Sequence, residues 1–169
     1  MHDPNENRPG YKKTKVGWIP EGWDDLVVGD SAEVLTGPFG TTLSAAEYSQ
    51  DGGVPVISVG EVGYGALRLK ADTPRVGAAT VKRLERYVLK IGDVVLARKG
   101  AVDRSAVVKM EESGWFLGSD GLRLRFSTEI HGRYLSYGFQ AYHTRKQLVR
   151  NAIGTTMLSL NQEALSKVH

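Results

Sequence analysis

The 169-residue chain has no cysteine, so disulfides, thiolate metal sites and cysteine nucleophiles are excluded together. That absence is compatible with a reducing compartment. No segment approaches the ~20 apolar residues needed to span a bilayer. The polar leader from Met1 to Gly10 carries neither an apolar signal core nor a basic amphipathic helix. A cytoplasmic protein with no membrane contact is expected. Aromatic residues make up only 8% of the chain while glycines number 20, a balance that predicts short strands and many turns.

Several catalytic classes drop out in the same way. No G-x-x-x-x-G-K-[ST] phosphate loop occurs, which argues against an ATP-driven motor. There is no Asp/Glu-x-Lys tripeptide, the commonest metal-dependent nuclease arrangement. The four histidines, His2, His131, His143 and His169, share no short metal-ligand spacing. Ser105 and Ser119 stand near Asp103 and Asp120 but outside any nucleophile-elbow sequence, and local Ser/Asp pairs usually cap turns. Gly63-Tyr64-Gly65 is a fragment of a dinucleotide-binding glycine pattern with no helix behind it. No catalytic residue, cofactor-binding residue or metal ligand is assigned.

What is present is a length suited to one domain and an uneven charge distribution. The net charge is only +3, yet Val81 to Lys109 holds eight Lys/Arg against three Asp/Glu, and Arg123 to Arg150 holds six against one. Such asymmetry within one domain is the footprint of a nucleic-acid face set against a solvating or partner-facing remainder.

Along the chain, Ile19-Pro20-Glu21-Gly22 predicts a tight turn that Trp18 and Trp23 clamp to the domain. Asp30 is expected to cap a short helix through Leu35, with Glu33 completing a capping-box-like start. Thr36 to Thr42 is too rich in Gly and Pro to be regular. Strands are predicted at Val54 to Val59, Asp93 to Ala97, Ser105 to Lys109 and Leu122 to Phe126. Gly60 to Gly65 turns the chain back towards Leu67 and Leu69. Val81, Leu84, Tyr87 and Val88 mark one face of a helix, and Ile130 to Ile153 reads as another, with Asn161 capping a last helical turn. Segregated rather than alternating elements predict an α+β fold of short, largely antiparallel strands with several peripheral helices.

The most informative stretch is Tyr87 to Val107, where the apolar run Val94-Val95-Leu96-Ala97 meets Arg98, Lys99 and Gly100 without a spacer. A core strand there sets Arg98, Lys99 and Arg104 at a fixed rim beside a glycine, an arrangement suited to a polyanion.

The assembled pattern resembles the DNA specificity subunit of type I restriction–modification systems, over nearly the whole chain from Tyr11. The resemblance rests on five segments in order: Gly17-Trp18-Ile19-Pro20-Glu21-Gly22-Trp23, Gly37-Pro38-Phe39-Gly40, Val54-Pro55-Val56-Ile57, Leu89 to Gly100, and Ala152-Ile153-Gly154-Thr155-Thr156 with Leu160-Asn161. It implies a target recognition domain over residues 11–169, preceded by residues 1–10, whose polar composition predicts a flexible leader. The chain then ends before the long spacer helix of that family. The implied module is non-catalytic and reads one half of a split double-stranded DNA site, directing an adenine methyltransferase subunit and, indirectly, a restriction subunit. S-adenosylmethionine, Mg and ATP would belong to those partners, and a second half-subunit could pair with this one.

Candidates for the DNA face are Arg98, Lys99 and Arg104 with Ser105 as a short hydrogen-bonding neighbour, Phe39, Thr41 and Thr42 on an open loop, and Tyr64 on a glycine-rich one. Arg145, Lys146 and Arg150, on about one helical face, suit phosphates. Two other readings stay open: an anti-restriction or interaction protein that binds the methyltransferase without reading DNA, and a small nuclease with an unfamiliar site.

Overall fold

A computed structural model of the chain describes residues 4–49, 52–127 and 132–169. Its strands are Tyr11–Thr14 (β1), Gly17–Pro20 (β2), Ala32–Thr36 (β3), Tyr48–Ser49 (β4), Val54–Ile57 (β5), Arg75–Val76 (β6), Val94–Ala97 (β7), Ser105–Val107 (β8), Phe116–Leu117 (β9) and Gly121–Phe126 (β10). Its helices are Val28–Ser31 (α1), Ala78–Arg83 (α2), Gly132–Gln140 (α3), Tyr142–Asn151 (α4) and Gln162–Ser166 (α5). The strands form the hairpin β1-β2, an antiparallel sheet β3-β10-β7-β8, and a second sheet β4-β6-β5-β9 in which β5 and β9 run parallel. This is the α+β architecture of short, largely antiparallel strands that the sequence predicts.

All four residues of β7 are fully buried, because the strand lies inside its sheet and both faces are covered. On one face Val94 and Leu96, with Leu122 and Leu124 of β10, pack against Leu135, Phe139, Leu148 and Leu165 of the helical layer. On the other, Val95 and Ala97 join Leu35 and Ala106 against Ile57, Val62, Leu67, Leu89 and Leu117. A strand covered on both sides has no use for alternation, which explains its unbroken apolar run. Each such side chain contributes roughly 1.5–3 kcal/mol by leaving water.

Smaller features agree with the sequence. The backbone N–H of Trp23 donates to the Pro20 carbonyl at 2.9 Å, closing the predicted turn, and Trp23 meets Tyr134 edge to face at 5.5 Å. The Asn161 side chain accepts from the Ala164 N–H at 2.7 Å, capping α5. Val62 bridges to Leu67 across the glycine-rich turn.

Other expectations need correction. Asp30 caps nothing through Leu35: α1 is a single turn without a side-chain cap, and Ala32 to Thr36 is a strand in register with Phe126 to Leu122. Non-local ladder bonds outweigh the local capping pattern there, and Glu33 turns its carboxylate to Arg123 instead. The helix expected over 81–88 is α2, ending at Arg83, followed by a 3₁₀ turn at Glu85–Tyr87. The helix expected from Ile130 to Ile153 is two helices, broken at Ala141 in an extended conformation. One straight helix of that length would run about 36 Å, far past strands of four to six residues, and the break folds its second half back over the sheet. The beginning of that predicted helix, like His2 and His131, lies outside the described residues.

Candidate nucleic-acid interface

The register of the first sheet gathers the site. Gly121 lies opposite Ala97, and Leu122 lies opposite both Thr36 and Leu96, which in turn faces Ser105. The end of β3, the start of β10, the end of β7 and the start of β8 therefore share one edge. From it emerge the segments 37–42, 98–104 and 118–120, the first two of which carry most of the candidate residues.

Gly37 seats the first of these segments. A Cβ at this position would lie 1.7 Å from the Gly118 carbonyl oxygen, while the Gly37 N–H donates to the Gly121 carbonyl at 3.0 Å. Only glycine permits two backbones to cross that closely. The crossing sets buried Pro38 and presents Phe39, 64% exposed. Thr41 and Thr42 follow, both exposed, in a 3₁₀ turn whose Thr42 carbonyl accepts from Arg83 at 3.2 Å. Arg83 is itself paired with Glu47.

Arg98 leaves the core with its backbone bonded on two sides. Its N–H donates to the Asp120 carbonyl at 2.9 Å and its carbonyl accepts from Leu160 at 2.8 Å. The half-buried guanidinium lies with its Cζ 5.9 Å from the centre of the Phe39 ring. One Nη approaches the Ser119 carbonyl only at 3.5 Å, and the buried Nε has no hydrogen-bond partner. Among the described residues no carboxylate pairs with Arg98. Lys99, by contrast, is held by Asp120 at 3.0 Å. Arg104 folds back on its own loop, its Nε 3.5 Å from the Ala101 carbonyl. Ser105 is 2% exposed, and its carbonyl accepts from the Gly65 N–H at 2.8 Å. As the first residue of β8, tucked beneath the glycine-rich turn, it stays off the accessible surface where it was expected.

Tyr64 and Arg145 meet over Asp103. The Tyr64 hydroxyl donates to Asp103 Oδ1 at 3.2 Å, Arg145 Nε donates to Oδ2 at 3.0 Å, and Arg145 Cζ lies 4.6 Å above the Tyr64 ring. The bond to Asp103 raises the Arg145 pKa above its ordinary value. Lys146 reaches over the Tyr142 ring at 5.8 Å and Arg150 is exposed near the end of α4. Phe39, Arg98, Lys99, Arg104, Tyr64 and Arg145 thus belong to one connected surface, and Lys146 and Arg150 continue it along α4.

Not every cation in the basic stretches faces outward. Arg123, 1% exposed, donates to Glu33 at 2.6 Å and to the Arg86 carbonyl at 2.9 Å, and burial lowers its pKa. Arg125 forms a two-pronged pair with Asp93, both bonds at 2.7 Å, and that hydrogen bonding raises its pKa. Both are held by carboxylates within the fold, Arg123 buried with its Nε unpartnered and Arg125 partly exposed. Asp103 and Asp120, which the sequence offers only as turn-capping neighbours of Ser105 and Ser119, are the acids that organise the rim. Among the described residues no group of three His, Cys, Asp or Glu could hold a metal ion, and no helix is long and apolar enough to cross a membrane.

No protein-family model matches the chain. It is 25% identical over 153 residues to the type I restriction enzyme MjaVIII specificity subunit of Methanocaldococcus jannaschii, covering 86% of this chain and 34% of that protein. The HsdS subunit from Thermoanaerobacter tengcongensis superposes with a TM-score of 0.63 at 16% identity, over 96% of this chain and 34% of its own. The type I restriction–modification S subunit from M. genitalium gives 0.58 at 11% identity, over 85% and 32%. The chain spans about a third of the length of each, and its fold is the one these subunits contain.

Proposed function

We propose that this chain, which resembles type I restriction–modification specificity subunits in sequence and in fold, is a target recognition domain over residues 11–169 that reads one half of a split double-stranded DNA site. It directs an adenine methyltransferase subunit, and through it a restriction subunit, to that site. The module is non-catalytic, and S-adenosylmethionine, Mg and ATP belong to the partners.

One observation carries this reading: the loops bearing Phe39, Arg98, Lys99 and Arg104 converge on one sheet edge, with Tyr64 and Arg145 joined to them through Asp103. Exposed cations supply phosphate contacts, and side chains on rigid strand ends supply base contacts. The test is to supply the partner methyltransferase and map methylated positions in DNA. A discrete bipartite motif that disappears when the chain is withheld is expected. Methylation that ignores the chain, or catalysis by the purified chain alone, overturns the reading.

A second reading, contact with a protein partner without DNA readout, is favoured by an apolar groove of about 470 Å³ between the hairpin and α3. Trp23, Leu26, Tyr134 and Phe139 line it together with Tyr137, which is 76% exposed. If that contact is the chain's whole role, Tyr137→Ser abolishes methyltransferase binding while charge removal at Arg98 and Arg104 changes nothing.

A further inference from the structure

Four arginines and one lysine on or beside the two basic stretches are already committed. Lys99 pairs with Asp120, Arg145 with Asp103, Arg123 with Glu33 and Arg125 with Asp93, while Arg83 holds Glu47. Arg98 differs from all of them. Its main chain is bonded on both sides and among the described residues it meets no carboxylate, whereas Arg123, which shares its buried unpartnered Nε, and Arg145, which also lies over a ring, are each held by an acid. Arg104 also lacks a carboxylate, but its guanidinium curls onto its own loop at Ala101 and no ring fixes its plane.

Resting on the DNA-reading function above, we propose that Arg98 is the guanine-reading residue of this domain, held flat by Phe39, and that Arg104 serves the phosphate backbone. The planar guanidinium fork matches the O6 and N7 acceptors of guanine in the major groove. It matches two phosphate oxygens equally well. Phe39 decides between them: an exposed aromatic ring beside the fork gives nothing to a phosphate, whereas it fits against base edges and thymine methyl groups.

The test uses the chain together with the partner methyltransferase, once methylation mapping has given the site of the wild-type complex. If that complex shows no sequence-restricted methylation, the DNA-reading function itself fails, separately from the role of Arg98. With a site in hand, Arg98→Lys keeps the charge and removes the fork. Binding is then measured on the matched duplex and on duplexes with each guanine of this half-site replaced in turn. Arg98→Lys is expected to weaken the matched duplex roughly ten- to hundredfold, with no loss on the duplex lacking one particular guanine. Phe39→Ala, which removes only an exposed ring, loosens preference at that same position. Equal weakening on every duplex, complete loss included, assigns Arg98 to phosphate and overturns the proposal. So does an unchanged preference at every guanine.

Discussion

Arg145 of α4 grips Asp103 through Nε at 3.0 Å, fastening the helical layer to the loop that follows β7. Tyr64 completes the joint from the glycine-rich turn, donating to the same carboxylate. Arg145 is therefore a brace between three segments rather than a free cation. Breaking it with Asp103→Ala should cost about 1 kcal/mol of stability, since the pair is partly exposed. Duplex affinity should nevertheless fall several-fold, as the 98–104 loop loses its anchor. A double-mutant cycle with Arg145→Ala should show strong non-additivity. Additive losses would mean that each residue acts on DNA independently.

Gly37→Ala tests the backbone crossing. Its Cβ would fall 1.7 Å from the Gly118 carbonyl oxygen, so one strand end must move. A cost of about 1–3 kcal/mol is expected, together with reduced DNA binding because Phe39 rides on the displaced segment. Chemical denaturation and a duplex titration on the same variant measure both. Unchanged values in both would show that the crossing relaxes freely.

Arg123, buried, and Arg125, partly exposed, should respond differently to the loss of their ion pairs. Asp93→Ala leaves the partly exposed Arg125 guanidinium and the Lys90 N–H without their carboxylate, with an expected loss of about 1.5–3 kcal/mol in urea unfolding. Arg123→Met removes a buried charge whose hydrogen-bonded carboxylate partner, Glu33, is itself largely in solvent. It fills similar space, and a loss below about 1.5 kcal/mol is expected. A larger loss for Arg123→Met than for Asp93→Ala would contradict this ordering.

Glu47 sets an acid limb in the stability profile. The Ser44 N–H, then the Arg83 guanidinium, hold its carboxyl at about 2, down from 4.5. A depressed carboxylate pKa stabilises the fold above the unfolded value, and the benefit is lost as pH falls through the folded one. The stability difference between wild type and Glu47→Gln should thus be full above pH 4.5 and shrink to nothing as the pH falls through about 2. A difference constant across that window would rule out the ion pair as its cause.

How much of the fold and the site is legible in the sequence depends on how local each signal is. The IPEGW turn, the Asn161 cap and the apolar run that ends in Arg98 are written in adjacent residues, and each stands where the sequence puts it. Arg123 and Arg125 are different. Alternating with Leu122 and Leu124, they look like the solvent face of a strand, and Arg123 becomes interior, with Arg125 partly exposed, only because a second layer covers that face. Asp30 and Glu33 carry a good local cap pattern that a five-residue ladder with β10 overrides. Asp103 and Asp120 acquire their roles from partners that only the folded chain brings near: Arg145 in one case and Lys99 in the other. The fold class and the location of the rim follow from periodicity and punctuation; the pairing of charges within the rim follows from topology.

The most direct measurement is the salt dependence of duplex binding by the chain in complex with its methyltransferase, for wild type and for the triple variant Arg98→Ala, Lys99→Ala, Arg104→Ala. Wild-type affinity should fall steeply with salt, and the variant should bind more weakly with a log–log slope shallower by about one unit for each phosphate it no longer neutralises. Identical affinity and slope in the two proteins would contradict a DNA interface at this sheet edge.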